Sequence, residues 1–185
     1  MLVLLGGVSG AGKDTVKNEM IKRIDNAISI PSYTDRAIRE GETAGVTYYY
    51  VTTEEFEKMI KEKEFLEYDF HHDHYYGTSK KIILSKIKEG KIIIKDIDVN
   101  GIENIKKSIG DKVKIITIFL RVPRKELERR LRNREDGLTE EQIQQRLGRL
   151  EYEESKIPTF NYVVDNIDLD KTFSTIEEII RKEAK

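Results

Sequence analysis

Apolar residues fall along this chain in two alternating periods. Val3 to Leu5 form a short continuous apolar run that ends in glycines, after which Val16, Met20 and Ile24 recur at fourth positions. That order predicts a strand, a glycine loop and an amphipathic helix. Further runs stand at 92–97 (Ile-Ile-Ile-Lys-Asp-Ile) and 113–120 (Val-Lys-Ile-Ile-Thr-Ile-Phe-Leu), with a shorter one at Tyr162-Val163-Val164. Near-continuous Ile and Val predict strands covered on both faces, as in a parallel sheet. Between them, Thr52-x-x-Glu55 and Thr139-x-x-Gln142 have the capping-box form that starts a helix. Pro123 suits the first turn of a helix carrying Leu127 and Leu131, and Phe173, Ile176, Ile179 and Ile180 mark a final amphipathic helix over about 173–182. Strands alternating with helices predict an α/β fold with a doubly wound parallel sheet core.

One stretch breaks this alternation. Residues 32–77 are rich in Tyr, Thr, Glu and Gly, with short strand-like pieces and a helix near 54–63, and read as an insertion on the core. A length of 185 residues suits one well-buried domain carrying such an insertion. Charged residues make up 36% of the chain, yet 33 Lys and Arg nearly balance 34 Asp and Glu, for a formal net charge of −1. This balance argues against nucleic acid or a membrane surface as the main partner, so any basic patch is local, as a small phosphorylated ligand requires. Cys is absent, which excludes disulfides and thiolate metal sites. The apolar opening Met1 to Leu5 is too short for a secretory core or a membrane span, so a cytoplasmic location is expected.

Gly7-Val8-Ser9-Gly10-Ala11-Gly12-Lys13 satisfies the G-x-x-x-x-G-K pattern between a predicted strand and a predicted helix. Glycines let the backbone curl so that several N–H groups point at one phosphate, the helix N-terminus adds its positive dipole, and the lysine reaches the β and γ phosphates. Gly7, Ser9, Gly10, Ala11, Gly12, Lys13, Asp14 and Thr15 are therefore expected to hold the phosphates of a nucleoside triphosphate together with Mg²⁺. The pattern asks for Ser or Thr directly after the lysine, but Asp14 stands there and Thr15 follows. A bare carboxylate about 4 Å from a phosphate charge is repelled by roughly 4 kcal/mol at an effective dielectric near 20. Asp14 is thus either a metal ligand or a helix N-terminal acid turned away and favoured by the dipole. Asp96 and Asp98 end a predicted buried strand, the place where ligands bind in open α/β sheets. His71-His72-Asp73-His74 reads as a solvent loop, because consecutive ligands point to alternating sides and give poor tetrahedral geometry.

Arg36 and Arg39, followed by Gly41-Glu42, Gly45 and the cluster Tyr48-Tyr49-Tyr50, resemble the acceptor-binding segment of guanylate kinases. Phe65-Leu66-Glu67-Tyr68, Tyr75-Tyr76-Gly77-Thr78, Asp96-Ile97-Asp98 with Gly101, and Asn166 with Asp168 to Lys171 follow in the family's order, so the resemblance covers nearly the whole chain. It implies that Arg36, Arg39, Tyr48 and Tyr76 hold the monophosphate of GMP or dGMP, with Glu42 completing the pocket. Guanidinium forks and tyrosine hydroxyls are suited to that task. It implies that Glu67 reads the guanine base, assisted by Ser32 and Thr78, and that Asp96 lies near the Mg²⁺ water shell and Asp98 near the acceptor nucleoside. It further implies a lid in which Arg130, Arg134 and Arg146 stabilise the transferring phosphoryl group, with neighbouring arginines as ordinary surface charges, and Asn166 beside the adenine of the donor.

The expected division is a single kinase domain over 1–185, with core segments 1–31, 78–122 and 151–185, the acceptor-binding insertion at 32–77 and the lid at 123–150. Two other functions share parts of the pattern. A ribose 1,5-bisphosphate kinase resembles this family and carries the same Gly-Lys-Asp loop, but has no need of Arg39, Glu42, Tyr48 and Glu67. A non-catalytic guanylate kinase-like interaction domain has no need of Lys13 and the lid arginines.

Overall fold

The computed structural model describes residues 1–71, 73–133 and 137–185. Its first apolar run is strand β1 (Leu2–Gly6), which passes through the glycine loop into helix α1 (Lys13–Arg23). The short β2 (Ala27–Ile28) leads to β3 (Ser32–Thr34), β4 (Tyr48–Tyr50), α2 (Thr53–Lys61), β5 (Phe65–His71) and β6 (His74–Ser79). The chain then runs through α3 (Lys80–Lys88), β7 (Ile92–Asp96), α4 (Val99–Ile109) and β8 (Ile115–Arg121). Helices α5 (Arg124–Arg132), α6 (Glu140–Gly148) and α7 (Leu150–Ser155) precede β9 (Tyr162–Asp165) and α8 (Leu169–Glu183).

The main sheet has the order β2-β7-β1-β8-β9, and every pairing in it is parallel. Its strands alternate side chains between two apolar layers. Val3, Leu5, Ile94, Ile118 and Leu120 pack on Val16 and Met20 of α1, Leu127 and Leu131 of α5, and Phe173, Ile176 and Ile180 of α8. Leu2, Leu4 and Ile93 face the other way, onto Ile83 of α3 and Ile102, Ile105 and Ile109 of α4. This is the doubly wound core that the strand and helix alternation predicts.

Residues of the expected insertion build a second sheet, in the order β4-β3-β6-β5, which also takes in Thr78 and Ser79, expected as core, because β6 runs on to Ser79. Its register pairs Ser32 with Tyr48, Thr34 with Tyr76, and Glu67 with Thr78. Because side chains alternate along a strand, Ser32, Tyr48, Glu67, Tyr76 and Thr78 share one face, while Tyr33, Tyr49, Tyr75 and Gly77 share the other. The second of these faces is aromatic, and Phe56 of α2 stacks on Phe65 (4.5 Å between centroids) and on Tyr75 (5.1 Å). A Cβ at Gly77 would come within 2.9 Å of the Phe56 and Phe65 rings, so the ring layer needs glycine there.

Some boundaries depart from the sequence pattern for local reasons. β2 is two residues long, too short to register as an apolar run. α8 starts at Leu169 rather than near Phe173, because Asp168 caps it by accepting from the Lys171 N–H at 3.1 Å. Both expected capping boxes are formed, at the starts of α2 and α6. His71 ends β5 and His74 opens β6, so this segment is a hairpin turn; His72 lies outside the described residues. Among the described residues no helix is long and apolar enough to cross a membrane.

Candidate active site

The glycine loop joins β1 to α1 at the C-terminal edge of the main sheet. Gly7, Gly10 and Gly12 have φ of 132°, 90° and 87°, a region that glycine enters without strain. A Cβ on Gly12 would also stand 2.7 Å from Asn166 Nδ2. Asn166 is fully buried behind the loop; its side-chain Nδ2 donates to Ala11 O at 2.7 Å, and its backbone carbonyl accepts from Arg130 Nη2 at 2.8 Å. Lys13 lies back over the loop, donating to the carbonyls of Gly7 and Val8. Burial lowers its pKa, opposed by Glu153 and then by Asp96, Asp14 and Asp98.

Lys17 of α1 sits between two carboxylates, with its Nζ 2.6 Å from an oxygen of Asp14 and 2.6 Å from one of Asp96. Burial pushes the Asp96 carboxyl up, but the charge and hydrogen bond of Lys17 outweigh it and hold that carboxyl below its usual range. The loop, Asp14, Thr15, Asp96, Asp98, Arg130 and Glu153 surround a cavity of about 510 Å³.

A second cavity of about 770 Å³ lies against the polar face of the second sheet, lined there by Ser32, Glu67 and Tyr76 and opposite by Gln142, Gln145 and Arg146 of α6. It shares Ser9, Asp96, Asp98 and Glu153 with the first. Burial raises the pKa of Glu67, opposed by the hydrogen bond from Thr78 Oγ1 and by the charge of Lys95. Beside this cavity Arg36 is almost fully buried, donating to Ala37 O at 2.8 Å and to Glu42 Oε1 at 2.6 Å, with its guanidinium 5.5 Å from the Tyr48 ring centroid. The Tyr48 and Tyr76 rings meet edge to face at 5.7 Å and link this cluster to the cavity wall. Arg36 holds the Glu42 carboxyl down at about 2, helped by the Arg39 N–H and by Tyr50. Glu42 therefore acts first on Arg36, fixing its fork, and Arg39 is exposed at the rim.

The arginines of α5 and α6 divide by partner. Arg129 and Arg132 pair outward with Glu126, Glu128 and Glu140, as ordinary helix-surface charges do. Arg130 shares Glu126, donating to it from Nε at 2.8 Å, but its Nη2 reaches inward to the Asn166 backbone carbonyl, and Arg146 Nη1 donates to Ser9 Oγ at 2.8 Å across the mouth of the loop. Arg134 lies outside the described residues. Three groups of the site are absent from any motif read in the sequence: Lys17, Lys95 and Glu153. A lysine inside a run of isoleucines was the available signal for Lys95. Glu153 is one glutamate among many on a polar helix, and Lys17 one lysine on a helix surface, so neither had any.

Two cavities that meet at Asp96 and Asp98, one closed by a phosphate-type glycine loop and the other by a polar sheet face, have the form of a P-loop phosphotransferase. Residues 1–183 match the family model of guanylate kinases. The chain is 38% identical over 182 residues to a guanylate kinase of Rickettsia typhi, covering 97% of this chain and 90% of the relative. It is 38% identical over 181 residues to one of Prochlorococcus marinus, covering 97% and 96%. A solved guanylate kinase structure from Anaplasma phagocytophilum superposes with a TM-score of 0.75 at 26% identity, covering all of this chain and 86% of that one. The chain belongs to the guanylate kinase family.

Proposed function

We propose that this chain transfers the γ-phosphoryl group of ATP to GMP or dGMP, with Mg²⁺, giving ADP and GDP or dGDP. The observation that carries the reading is the convergence of the loop cavity and the Glu67 cavity on the same pair of acids, Asp96 and Asp98. The triphosphate lies along Gly7 to Thr15, with Lys13 leaving the loop carbonyls for the β and γ phosphates. The acceptor lies on the polar face of the second sheet, its base against Glu67, Ser32 and Thr78, its ribose near Asp98 and its phosphate toward Arg36, Arg39, Tyr48 and Tyr76. In-line transfer needs positioning and charge neutralisation rather than covalent chemistry, and Arg130, Arg134 and Arg146 supply positive charge as the phosphoryl group moves. Residues 32–77 and 123–150 then act as an acceptor-binding unit and a lid whose closure excludes water and suppresses hydrolysis.

Mg²⁺ prefers hard oxygen ligands and is commonly held by one or two carboxylates plus substrate phosphates. The oxygens of Asp14, Thr15 and Asp96 suit it, with Lys17 neutralising the two carboxylates until it binds. When bound, the ion offsets charge on the phosphates. One assay tests both the activity and this ligand set: ADP release measured with and without GMP while Mg²⁺ is titrated. GMP-dependent release is expected, and Asp14→Ser is expected to keep turnover within about tenfold while shifting the Mg²⁺ midpoint. ATP hydrolysis indifferent to GMP would contradict the activity; an unchanged midpoint would assign Asp14 to the helix end instead.

A further inference from the structure

Lys95 is a charged side chain at the end of an apolar sheet face. It follows Ile92-Ile93-Ile94 on β7, pairs in register with Leu4 of β1, and shares its sheet face with Leu2, Leu4 and Ile93. Only 6% of its surface is exposed. An ammonium in such a place is unfavourable unless its hydrogen bonds are met, so its destination matters.

That destination is the acceptor side. Lys95 Nζ donates to Ser32 Oγ at 2.8 Å and to Ile30 O at 3.3 Å, and the residue lines the larger cavity together with Ser32, Glu67 and Tyr76. The alternation of β7 sends its neighbour Asp96 to the opposite face, where it pairs with Lys17 beside the glycine loop. The last two residues of one strand thus deliver a cation to the acceptor cavity and an anion to the donor cavity. An ammonium carries three N–H donors, and among the described residues Lys95 spends two on protein oxygens. The third is available at the cavity, where Glu67 is the carboxylate that acts most strongly on Lys95, ahead of Asp96.

We propose that Lys95 is a specificity-determining residue whose ammonium donates to O6 of the acceptor guanine while Glu67 accepts from N1–H and the C2 amine. This rests on the guanylate kinase reading above. The guanine edge runs acceptor, donor, donor from O6 through N1 to the C2 amine. A cation beside a carboxylate matches that sequence at its first two positions. Adenine puts an amine where O6 stands and a lone pair at N1, so the ammonium meets a donor and the carboxylate meets an acceptor; the two mismatches reinforce each other. Ser32 then holds Lys95 in place by accepting from it.

The test is a comparison of GMP with 6-thio-GMP, which keeps N1–H and the C2 amine but replaces O6 by a weaker acceptor. In the wild-type enzyme kcat/KM should favour GMP by at least about tenfold, and in Lys95→Met this preference should shrink by about fivefold or more, with KM for ATP unchanged. Any effect of the larger sulfur is common to both proteins and cancels in the ratio. An undiminished preference in Lys95→Met would make Lys95 only a structural support for Ser32, and the proposal would fail. Should that variant not fold, a wild-type preference below about twofold overturns the proposal on its own. No GMP turnover by the wild-type protein would remove the underlying reading, which is a separate result.

Discussion

Lys13→Ala is expected to lower kcat about a thousandfold while leaving KM for GMP nearly unchanged. Without substrate the Lys13 ammonium satisfies the carbonyls of Gly7 and Val8, and four nearby acids favour its charge. In the proposed reading, a rotation of its own side chain carries that ammonium from the loop carbonyls to the β and γ phosphates. At about 4 Å from a phosphate charge and an effective dielectric near 20, its attraction is about 4 kcal/mol, which corresponds to about a thousandfold in rate if it is felt mainly in the transition state. Lys13→Arg keeps the charge but brings a planar fork too wide for the glycine loop, and should recover only part of the loss. Steady-state kinetics beside circular dichroism checks this. A Lys13→Ala enzyme that keeps most of its turnover would return the chain to the non-catalytic reading of the family.

The second large effect belongs to the base. Glu67→Gln should lower kcat/KM for GMP about a hundredfold and leave the far smaller rate with AMP almost untouched. Thr78 Oγ1 already donates to Glu67 Oε1, which fixes the side chain in one orientation. In the glutamine variant the amide oxygen keeps that bond, and the NH₂ group then faces the N–H groups of the guanine edge. Losing a charge-assisted hydrogen bond and setting donor against donor amounts to about 3 kcal/mol, or about a hundredfold. Because burial raises the Glu67 pKa, the ionised form is lost at a higher pH than for an ordinary carboxylate. KM for GMP should therefore begin to climb, as pH falls, above the usual carboxylate range in the wild-type enzyme and not in Glu67→Gln. Parallel pH profiles of the two would separate these outcomes.

The main sheet was legible because its strands are covered on both faces and so appear as continuous runs of Ile and Val, and the glycine loop because only glycine supports φ near +90° next to a buried Asn166. The second sheet was legible only as an interruption. Its strands β3 and β4 are three residues each and carry Tyr on both faces, with Ser and Thr between, so no apolar period marks them. What sequence order could not convey is that the alternation of four short strands gathers Ser32, Tyr48, Glu67, Tyr76 and Thr78 on one face. Asp14 was visible as a departure from the loop pattern, but its partner Lys17 was not, since one lysine on a helix with basic neighbours carries no signal of its own. Lys95 did carry a signal, as a lysine inside a run of isoleucines, but within Ile-Ile-Ile-Lys-Asp-Ile it also passes as the end of a strand, and the register beside Leu4 shows that it is buried.

The most direct measurement is the initial rate of ADP formation from ATP with one acceptor at a time: GMP, dGMP, AMP and ribose 1,5-bisphosphate. The proposed placement of the base against Glu67 and of its phosphate toward Arg36, which Glu42 holds at 2.6 Å, predicts turnover of GMP and dGMP, with AMP lower by a factor on the order of 10⁴ and no turnover of the sugar. Activity confined to ribose 1,5-bisphosphate would contradict it.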